Sequence, residues 1–261
     1  MNVGLVGAGH IARALAEGWT RSDVPAPPSL VFFDVDAPRA RQLAFATAGA
    51  AAGTAVELVA ASDLVIVAVR PQDVEGVLQD IGAAVGERPI ISVAAGVTLA
   101  RLQAALPKGT HVARVMPNVA AALGLGVFLF VPGTLGPGVG EVEDLFALSG
   151  EVVEVDEALF DAATAVAGCM PGILAYLVEA FAATGATHGL SHDVAVRLSI
   201  SGVYGAAAII AREGDPAGVI AAAATPGGMT AAAVEKLEER SVTLAIDAAV
   251  AAAVARAQRL A

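Results

Sequence analysis

The fold is decided by one N-terminal stretch, Val3-Gly4-Leu5-Val6-Gly7-Ala8-Gly9-His10-Ile11-Ala12. It has the pattern G-x-G-x-x-A, placed between a short apolar strand and the start of a helical pattern. In this pattern Gly7 permits a tight turn, Gly9 lets the backbone approach a pyrophosphate, and Ala12 allows the helix to pack closely on the strand. The N–H groups at the helix start can then bind the phosphates. The stretch therefore predicts a dinucleotide-binding domain.

An acidic residue, Asp34, follows the second predicted strand, Leu30–Phe33. It lies about twenty residues beyond the glycines, where a carboxylate accepts hydrogen bonds from the ribose hydroxyls. A carboxylate there would also repel the 2′-phosphate of NADPH. We therefore expect NAD(P)H as the cofactor, with a preference for NADH. Arg39 and Arg41 oppose this preference if either covers a phosphate, although both are expected to be solvated charges at the start of the next helix.

Strands alternate with helical patterns as far as about Asp156, and the strands are apolar on both faces. This alternation predicts an α/β fold with a parallel sheet covered on both sides. From there to Ala261 only helical patterns follow, and several are apolar nearly all round. We expect a dinucleotide-binding Rossmann domain over residues 1–156. An all-α dimerisation and substrate domain is expected over residues 157–261.

Charge and hydropathy limit the classes of partner. The 261 residues carry a net charge of −11, and the lysines and arginines form no basic stripe, so nucleic acid is not expected as a partner. Mean hydropathy is positive. The two long stretches with few or no charges, Val115–Gly140 and Pro216–Val234, are broken by prolines and glycines. We therefore expect both stretches to be buried protein core, and no membrane association.

The remaining composition favours a cytoplasmic enzyme without a metal. The single cysteine, Cys169, excludes an internal disulfide and a cysteine-rich metal site. The strand pattern begins at Asn2, and no signal peptide is visible before it. The four histidines do not show metal-ligand spacing on an acidic face, so no metal site is expected.

Three further segments are candidates for a substrate site. Thr225-Pro226-Gly227-Gly228-Met229-Thr230 places two glycines before a helix, whose free N–H groups suit a carboxylate; the alternative is a plain helix cap. Asn118 follows a strand at the carboxyl edge of the sheet, where ligands bind, or is only a turn residue. The third, Ala167–Gly172, is a loop before a buried helix, or a plain helix start with Pro171 in the first turn.

Together these segments resemble a known family. Ala68–Gln72, Ser92–Leu99, Arg114–Asn118 and Pro226–Thr230 occur in the order found in pyrroline-5-carboxylate reductases, and the resemblance covers the whole chain. It implies the NAD(P)H-dependent reduction of a cyclic imine carboxylate, L-1-pyrroline-5-carboxylate, to L-proline. It also implies a homodimer formed through the helical domain, with dimers assembling into a larger oligomer in many members.

The resemblance also implies two sets of site residues. For the cofactor, the pyrophosphate would be bound by Gly7, Gly9, His10 and Ile11, and the nicotinamide half lined by Ala68, Val69, Arg70, Pro71, Ala94, Ala95 and Gly96. For the substrate, the carboxylate would be bound by the N–H groups of Gly227, Gly228 and Met229, the imine nitrogen by the catalytic Thr230, and the pocket lined by Asn118, Met170 and Pro171.

Some positions depart from the family pattern. The family segment G-S-G-P-A-Y is Gly168-Cys169-Met170-Pro171-Gly172-Ile173 here, M-P-N-T-P is Met116-Pro117-Asn118-Val119-Ala120, and His10 replaces an asparagine. These changes leave two alternatives open: a related reductase acting on another imine or keto substrate, and a dinucleotide-binding protein without catalysis. Thr230 beside Gly227-Gly228 argues against the second alternative.

Overall fold

The computed structural model describes residues 1–259, and its strands and helices alternate as far as Glu154. The strands are β1 (Asn2–Val6), β2 (Ser29–Phe33), β3 (Ala50–Ala51), β4 (Leu64–Val67), β5 (Ile90–Ser92), β6 (Val112–Met116), β7 (Gly126–Val131) and β8 (Gly150–Glu154). The helices among them are α1 (His10–Trp19), α2 (Ala37–Ala46), α3 (Ala55–Ala60), α4 (Val74–Val85), α5 (Leu99–Ala104) and α6 (Val139–Ala147).

Only helices follow β8 in the described chain. They are α7 (Phe160–Ala163), α8 (Met170–Thr187), α9 (His192–Glu213), α10 (Pro216–Ala223), α11 (Met229–Glu239) and α12 (Val242–Gln258), and a single π-helical turn, Thr164–Gly168, follows α7. The predicted α/β fold with an all-α C-terminal part is confirmed.

The eight strands form one sheet in the order β3-β2-β1-β4-β5-β6-β7-β8. The chain reverses its direction of progress across the sheet between β1 and β4, and the carboxyl ends of strands at such a point are where ligands bind. The prediction of a purely parallel sheet is wrong for one pair, because β7 runs antiparallel to β6. The connection between them is one short 3-10 turn, Val119–Leu123, and a parallel crossover needs a longer one.

Both faces of the sheet are buried, as the apolar strands predict. In β4, Leu64 and Ile66 pack into one core cluster, and Val65 and Val67 into another on the opposite face. The first cluster includes α1 through Leu15 and Trp19, and the second includes the buried faces of α3, α4 and α5. This two-sided burial makes the sheet a rigid frame from which the loops after β1, β2 and β4 project.

The chain divides into two compact units. The first is Met1–Cys169 together with residues 253–259 of the described chain, and the second is Met170–Ala252. The division lies beyond residue 156, where the sequence pattern changes, because residues after β8 still pack on the sheet. Phe160, for example, is buried in a cluster with Leu129 and Val131 of β7.

The second unit buries very little of its own surface. In it α8 packs against α9 and α9 against α10, and of its described side chains only Ala182 and Ala195 are buried. Large apolar side chains are exposed along these helices, among them Tyr176 (75% exposed) and Tyr204 (74%). The expectation that Pro216–Val234 is buried core is therefore wrong for the single chain, since neither α10 nor α11 has a buried residue.

Two helical stretches, Glu157–Thr187 and His192–Glu213, are long and apolar enough to cross a membrane. The bent pair formed by α11 and α12 would count as a third. This result describes length and composition alone, and the expected absence of a membrane remains a prediction. Either a protein partner or a lipid phase would cover such helices.

Candidate functional site

The turn after β1 has a backbone that admits only glycine at its first position. Gly7 has φ +100, and its N–H donates to the Phe33 carbonyl oxygen at 2.7 Å. A Cβ added to Gly7 would lie 2.5 Å from the Ala68 carbonyl oxygen. The turn therefore lies directly against the chain that follows β4, and it is held on both sides by neighbouring strands.

The second glycine faces open space. Gly9 is the N-cap of α1, and a Cβ built there meets no atom within 4 Å. The first N–H groups of a helix have no partner in the helix and carry the positive end of its dipole. The N–H groups of Gly9, His10 and Ile11 are therefore available to an anion, and the position of the absent Cβ leaves room for one to approach. This geometry fits a dinucleotide pyrophosphate.

The Asp34 carboxylate is fixed by two backbone N–H groups. Its Oδ2 accepts from Ala8 N at 2.8 Å and its Oδ1 from Asp36 N at 2.8 Å, while only 10% of the side chain is exposed. Asp34 therefore connects the loop after β2 to the glycine turn. Each carboxylate oxygen keeps a second lone pair, so the group can still accept from ribose hydroxyls.

Arg39 belongs to the same cluster of charges, although the sequence predicts a solvated side chain. Its Nη2 lies 3.5 Å from Asp36 Oδ2, and its Nη1 lies 4.0 Å from Asp34 Oδ2. The guanidinium is 52% exposed. It therefore sits at the rim of the site and partly balances the two carboxylates.

These groups surround one cleft of about 660 Å³ at the carboxyl ends of β1, β2 and β4. From the predicted cofactor residues, the cleft brings together Gly7, Gly9, Asp34, Ala68, Val69 and Arg70. It adds further lining residues that the sequence motifs do not reveal, namely Val35, Arg39, Gln72, Asp73, Gly76, Val77 and Asp80. The cleft therefore lies at the point of reversal in the sheet.

The other predicted cofactor residues lie outside this lining. His10 and Ile11 form the first turn of α1, and Pro71 begins a 3-10 turn after β4. The turn between β5 and α5 contains Ala94, Ala95 and Gly96, of which Gly96 has φ +72. Since β5 is the neighbour of β4, this turn emerges from the same edge of the sheet as the cleft.

Asn118 is buried and uses its amide to hold local backbone. Its Oδ1 accepts from Ala120 N at 3.2 Å, and its Nδ2 donates to the Ala167 carbonyl oxygen at 3.4 Å. It therefore caps the 3-10 turn that follows β6 and connects this turn to the π-helical turn. Its role toward a substrate remains a prediction.

The remaining predicted substrate residues lie in the second unit. Met170 and Pro171 are the first residues of α8, and Met170 is 45% exposed. Gly227 has φ +74, and the Gly228 N–H donates to the Thr225 carbonyl oxygen at 2.9 Å, so that the N–H of Gly228 is used within the turn. Met229 and Thr230 are exposed in the first turn of α11, whose N–H groups lack intrahelical partners.

Comparison with known proteins finds a matching family model for each of the two parts of the chain. A family model described as pyrroline-5-carboxylate reductase dimerisation matches residues 157–260. A second model, described as NADP oxidoreductase coenzyme F420-dependent, matches residues 2–96. The two matches correspond to the helical part and to the strands around the cleft.

Relatives match over nearly the full length. Pyrroline-5-carboxylate reductase of Mycobacterium leprae is 36% identical, with 99% of this chain and 96% of the relative covered. The Arabidopsis thaliana enzyme of the same name is 34% identical, with 99% and 95% covered. The solved 1-pyrroline-5-carboxylate reductase of Streptococcus pyogenes has a TM-score of 0.89 and 27% identity, with 99% of this chain and 98% of that chain covered. The chain belongs to the pyrroline-5-carboxylate reductase family.

Proposed function

We propose that this protein reduces L-1-pyrroline-5-carboxylate to L-proline with NAD(P)H, in the cytoplasm. Cofactor binding is supported above all by the glycine turn. There the Ala68 carbonyl leaves no room for a side chain at Gly7, and Gly9 leaves open space at the start of α1. The reaction is supported by membership of the family, whose named relatives cover 99% of the chain.

The chain contributes binding and orientation to this reaction. The N–H groups at the start of α1 bind the pyrophosphate, and Asp34 binds the ribose. When bound, the reduced nicotinamide supplies a hydride to the imine carbon. A protonated iminium is already a good acceptor, so the protein needs to hold donor and acceptor carbons about 3–3.5 Å apart more than it needs a strong acid.

On the substrate side, the start of α11 provides the binding groups. The free N–H groups of Met229 and Thr230 and the helix dipole suit the substrate carboxylate. The Thr230 hydroxyl hydrogen-bonds the imine nitrogen, where it orients the ring for attack. Gly227, with its φ of +74, sets the direction in which the helix begins.

The direct test is a substrate panel. Purified protein is mixed with NADH or NADPH and with pyrroline-5-carboxylate, pyrroline-2-carboxylate or piperideine carboxylates, and cofactor oxidation is followed. We expect pyrroline-5-carboxylate to have the highest kcat/KM and L-proline to be the product. A higher kcat/KM with another imine would assign a different substrate. The departures from the family pattern at Met170 and Ile173 would then be explained by this change of substrate. No oxidation with any member would contradict the proposal.

We also propose that NADH is preferred. A 2′-phosphate would lie against the carboxylates of Asp34 and Asp36, and Arg39 is already paired with both. Like charges about 4 Å apart repel by roughly 4 kcal/mol at an effective dielectric constant near 20, and water between them lowers this value.

Asp34→Asn removes this charge and keeps the shape of the side chain and an acceptor oxygen for the Ala8 N–H, while the hydrogen bond from Asp36 N is lost because an amide NH2 cannot accept it. We expect the ratio of kcat/KM for NADH to that for NADPH to fall at least about 10-fold, which corresponds to roughly 1.4 kcal/mol. Asp23→Asn, which removes a charge outside the cleft, is the control and should leave the ratio unchanged. A wild type that prefers NADPH would refute the proposal.

We propose that the chain forms a homodimer through the helical unit. Larger assemblies would then be multiples of this dimer. Helices that are apolar on several sides and leave residues such as Tyr176, Phe181 and Tyr204 exposed cannot remain solvated in a lone unit. We expect light scattering in detergent-free buffer to show a dimer or a multiple of it at micromolar concentration. A stable monomer, or protein that stays in solution only with detergent or lipid, would contradict the dimer.

A further inference from the structure

An ion pair between a buried arginine and a partly exposed glutamate connects β6 to the segment after β8, since the Glu157 side chain is 35% exposed. Arg114, in the middle of β6, has a side chain that is only 3% exposed, and its Nη1 donates to Glu157 Oε1 at 2.8 Å. The guanidinium carbon lies 4.0 Å from the centroid of the Phe160 ring. Arg114 therefore holds the Glu157 carboxylate at a defined place beside the sheet.

The same carboxylate oxygen also holds the start of α5. Glu157 Oε1 accepts from Leu99 N at 2.7 Å, and Leu99 is the first residue of that helix. This N–H has no partner within the helix, so Glu157 satisfies it from outside. Thr98 caps the helix separately, since its Oγ1 accepts from Arg101 N at 3.3 Å. Glu157 therefore fixes one end of the turn between β5 and α5.

The other end of this turn is fixed by the sheet. Val93 N donates to the Val67 carbonyl oxygen at 3.1 Å, which continues the pairing of β5 with β4. Between the two anchored ends lie Ala94, Ala95 and Gly96, which have small side chains or none. Ala94 and Val97 are also buried in the second core cluster, so the bond to Glu157 adds to this packing by fixing the start of α5, where the turn ends.

Stability alone does not account for a charged group at this place. Arg114 Nε and Nη2 are buried and have no hydrogen-bond partner among residues 1–259. A buried guanidinium with two unsatisfied N–H donors costs free energy that an apolar side chain of similar volume would not cost, even though the Glu157 carboxylate is partly exposed. The pair is thus a candidate for a role in the reaction.

We propose that Arg114 and Glu157 are a positioning pair for hydride transfer. Arg114 orients the carboxylate, and the carboxylate holds the turn containing Ala94, Ala95 and Gly96 against the nicotinamide end of the cofactor. This role rests on the proposed function and on the family resemblance, which implies that the turn lies near the nicotinamide. A misplacement of about 1 Å lowers a rate about 100-fold, so a loosened turn lowers kcat. Cofactor affinity changes little, because the N–H groups of α1 bind the pyrophosphate.

The test compares two double variants, Arg114→Met/Glu157→Gln and Arg114→Met/Glu157→Met. Both remove both charges, so neither leaves an unpaired charge in the protein interior. The amide oxygen of a glutamine at position 157 can accept from Leu99 N, whereas a methionine there has similar length and no comparable acceptor. We measure kcat, KM, the Kd of the cofactor by fluorescence, Tm, and hydrogen exchange of backbone amides over residues 94–99.

We expect the variant with methionine at both positions to have a kcat at least about 10-fold below that of the variant with glutamine. Its amides over residues 94–99 should exchange faster, while Tm and the Kd of the cofactor should match. Equal kcat and equal exchange would overturn the proposal, and so would a fall in Tm with faster exchange throughout the first unit. A wild type that does not reduce pyrroline-5-carboxylate, with exchange at residues 94–99 as expected, would overturn the proposed function while supporting the anchoring of the turn.

Discussion

Gly7→Ala is expected to abolish useful cofactor binding, with the Kd of NADH raised at least about 100-fold, or roughly 2.8 kcal/mol. Two effects contribute. The backbone at Gly7 has φ +100, which a residue with a Cβ adopts only at a cost of about 1–2 kcal/mol. In addition, the new Cβ would lie 2.5 Å from the Ala68 carbonyl oxygen, so the turn must move. Because the start of α1 moves with it, the N–H groups no longer meet the pyrophosphate.

Gly109→Ala is the matched control for this prediction. Gly109 has φ +90, and a Cβ added there meets no atom within 4 Å. It also lies outside the residues that line the cleft. The control therefore carries the backbone strain without the steric clash, and it should lower the free energy of unfolding by about 1–2 kcal/mol while leaving the Kd of NADH unchanged. If the Gly7→Ala variant binds NADH as tightly as the Gly109→Ala variant, the turn after β1 is not the cofactor site.

The contrast between these glycines shows why the N-terminal site could be predicted from the sequence. The interactions that define it are local: a strand, a turn and a helix start lie within one stretch, and Gly7, Gly9 and Asp34 follow a spacing set by the geometry of a parallel strand pair. The structure places all three residues around one cleft. The pattern is therefore visible in the sequence, although the carbonyl that excludes a side chain at Gly7 comes from Ala68, far along the chain.

The features that the sequence did not predict depend on contacts between distant residues. Arg114 interrupts an apolar strand, and this was the one signal in the sequence, but its partner Glu157 lies 43 residues away. The antiparallel direction of β7 follows from a short connection that the apolar pattern does not reveal. Arg39 is exposed, as expected of a solvated charge, but its position in α2 does not show that Asp34 lies beside it.

The exposed helices of the second unit show a different limit. Their hydropathy predicted burial, and the single chain leaves α10 and α11 exposed. Burial of an apolar helix requires a second surface, which the pattern of one chain does not identify. The same limit applies to the residues at the start of α8 and α11, whose substrate role follows from the family resemblance and is open to direct measurement.

Thr230→Val is expected to lower kcat about 10- to 100-fold, because losing the hydrogen bond to the imine nitrogen of the bound substrate costs roughly 1–3 kcal/mol. The structure makes this residue a clean probe. The N-cap position of α11 is Gly228, and the helix has no side-chain cap hydrogen bond. The Thr230 hydroxyl therefore does not stabilise the helix start, and its removal should leave Tm unchanged. The Kd of NADH should also stay within about 2-fold, since the cofactor is bound by the first unit.

Thr230→Ser separates the hydroxyl from the methyl group. Serine keeps the hydroxyl and loses one methyl, so we expect this variant to retain most of the wild-type kcat, whereas valine keeps the shape and loses the hydrogen bond. The measurement is kcat and KM with pyrroline-5-carboxylate for the wild type and both variants under saturating NADH. If both variants turn over as fast as the wild type, the hydroxyl does not contact the imine nitrogen, and substrate orientation must come from the N–H groups of α11 alone. If both variants are equally slow, the hydroxyl and the methyl group both contribute to positioning the ring.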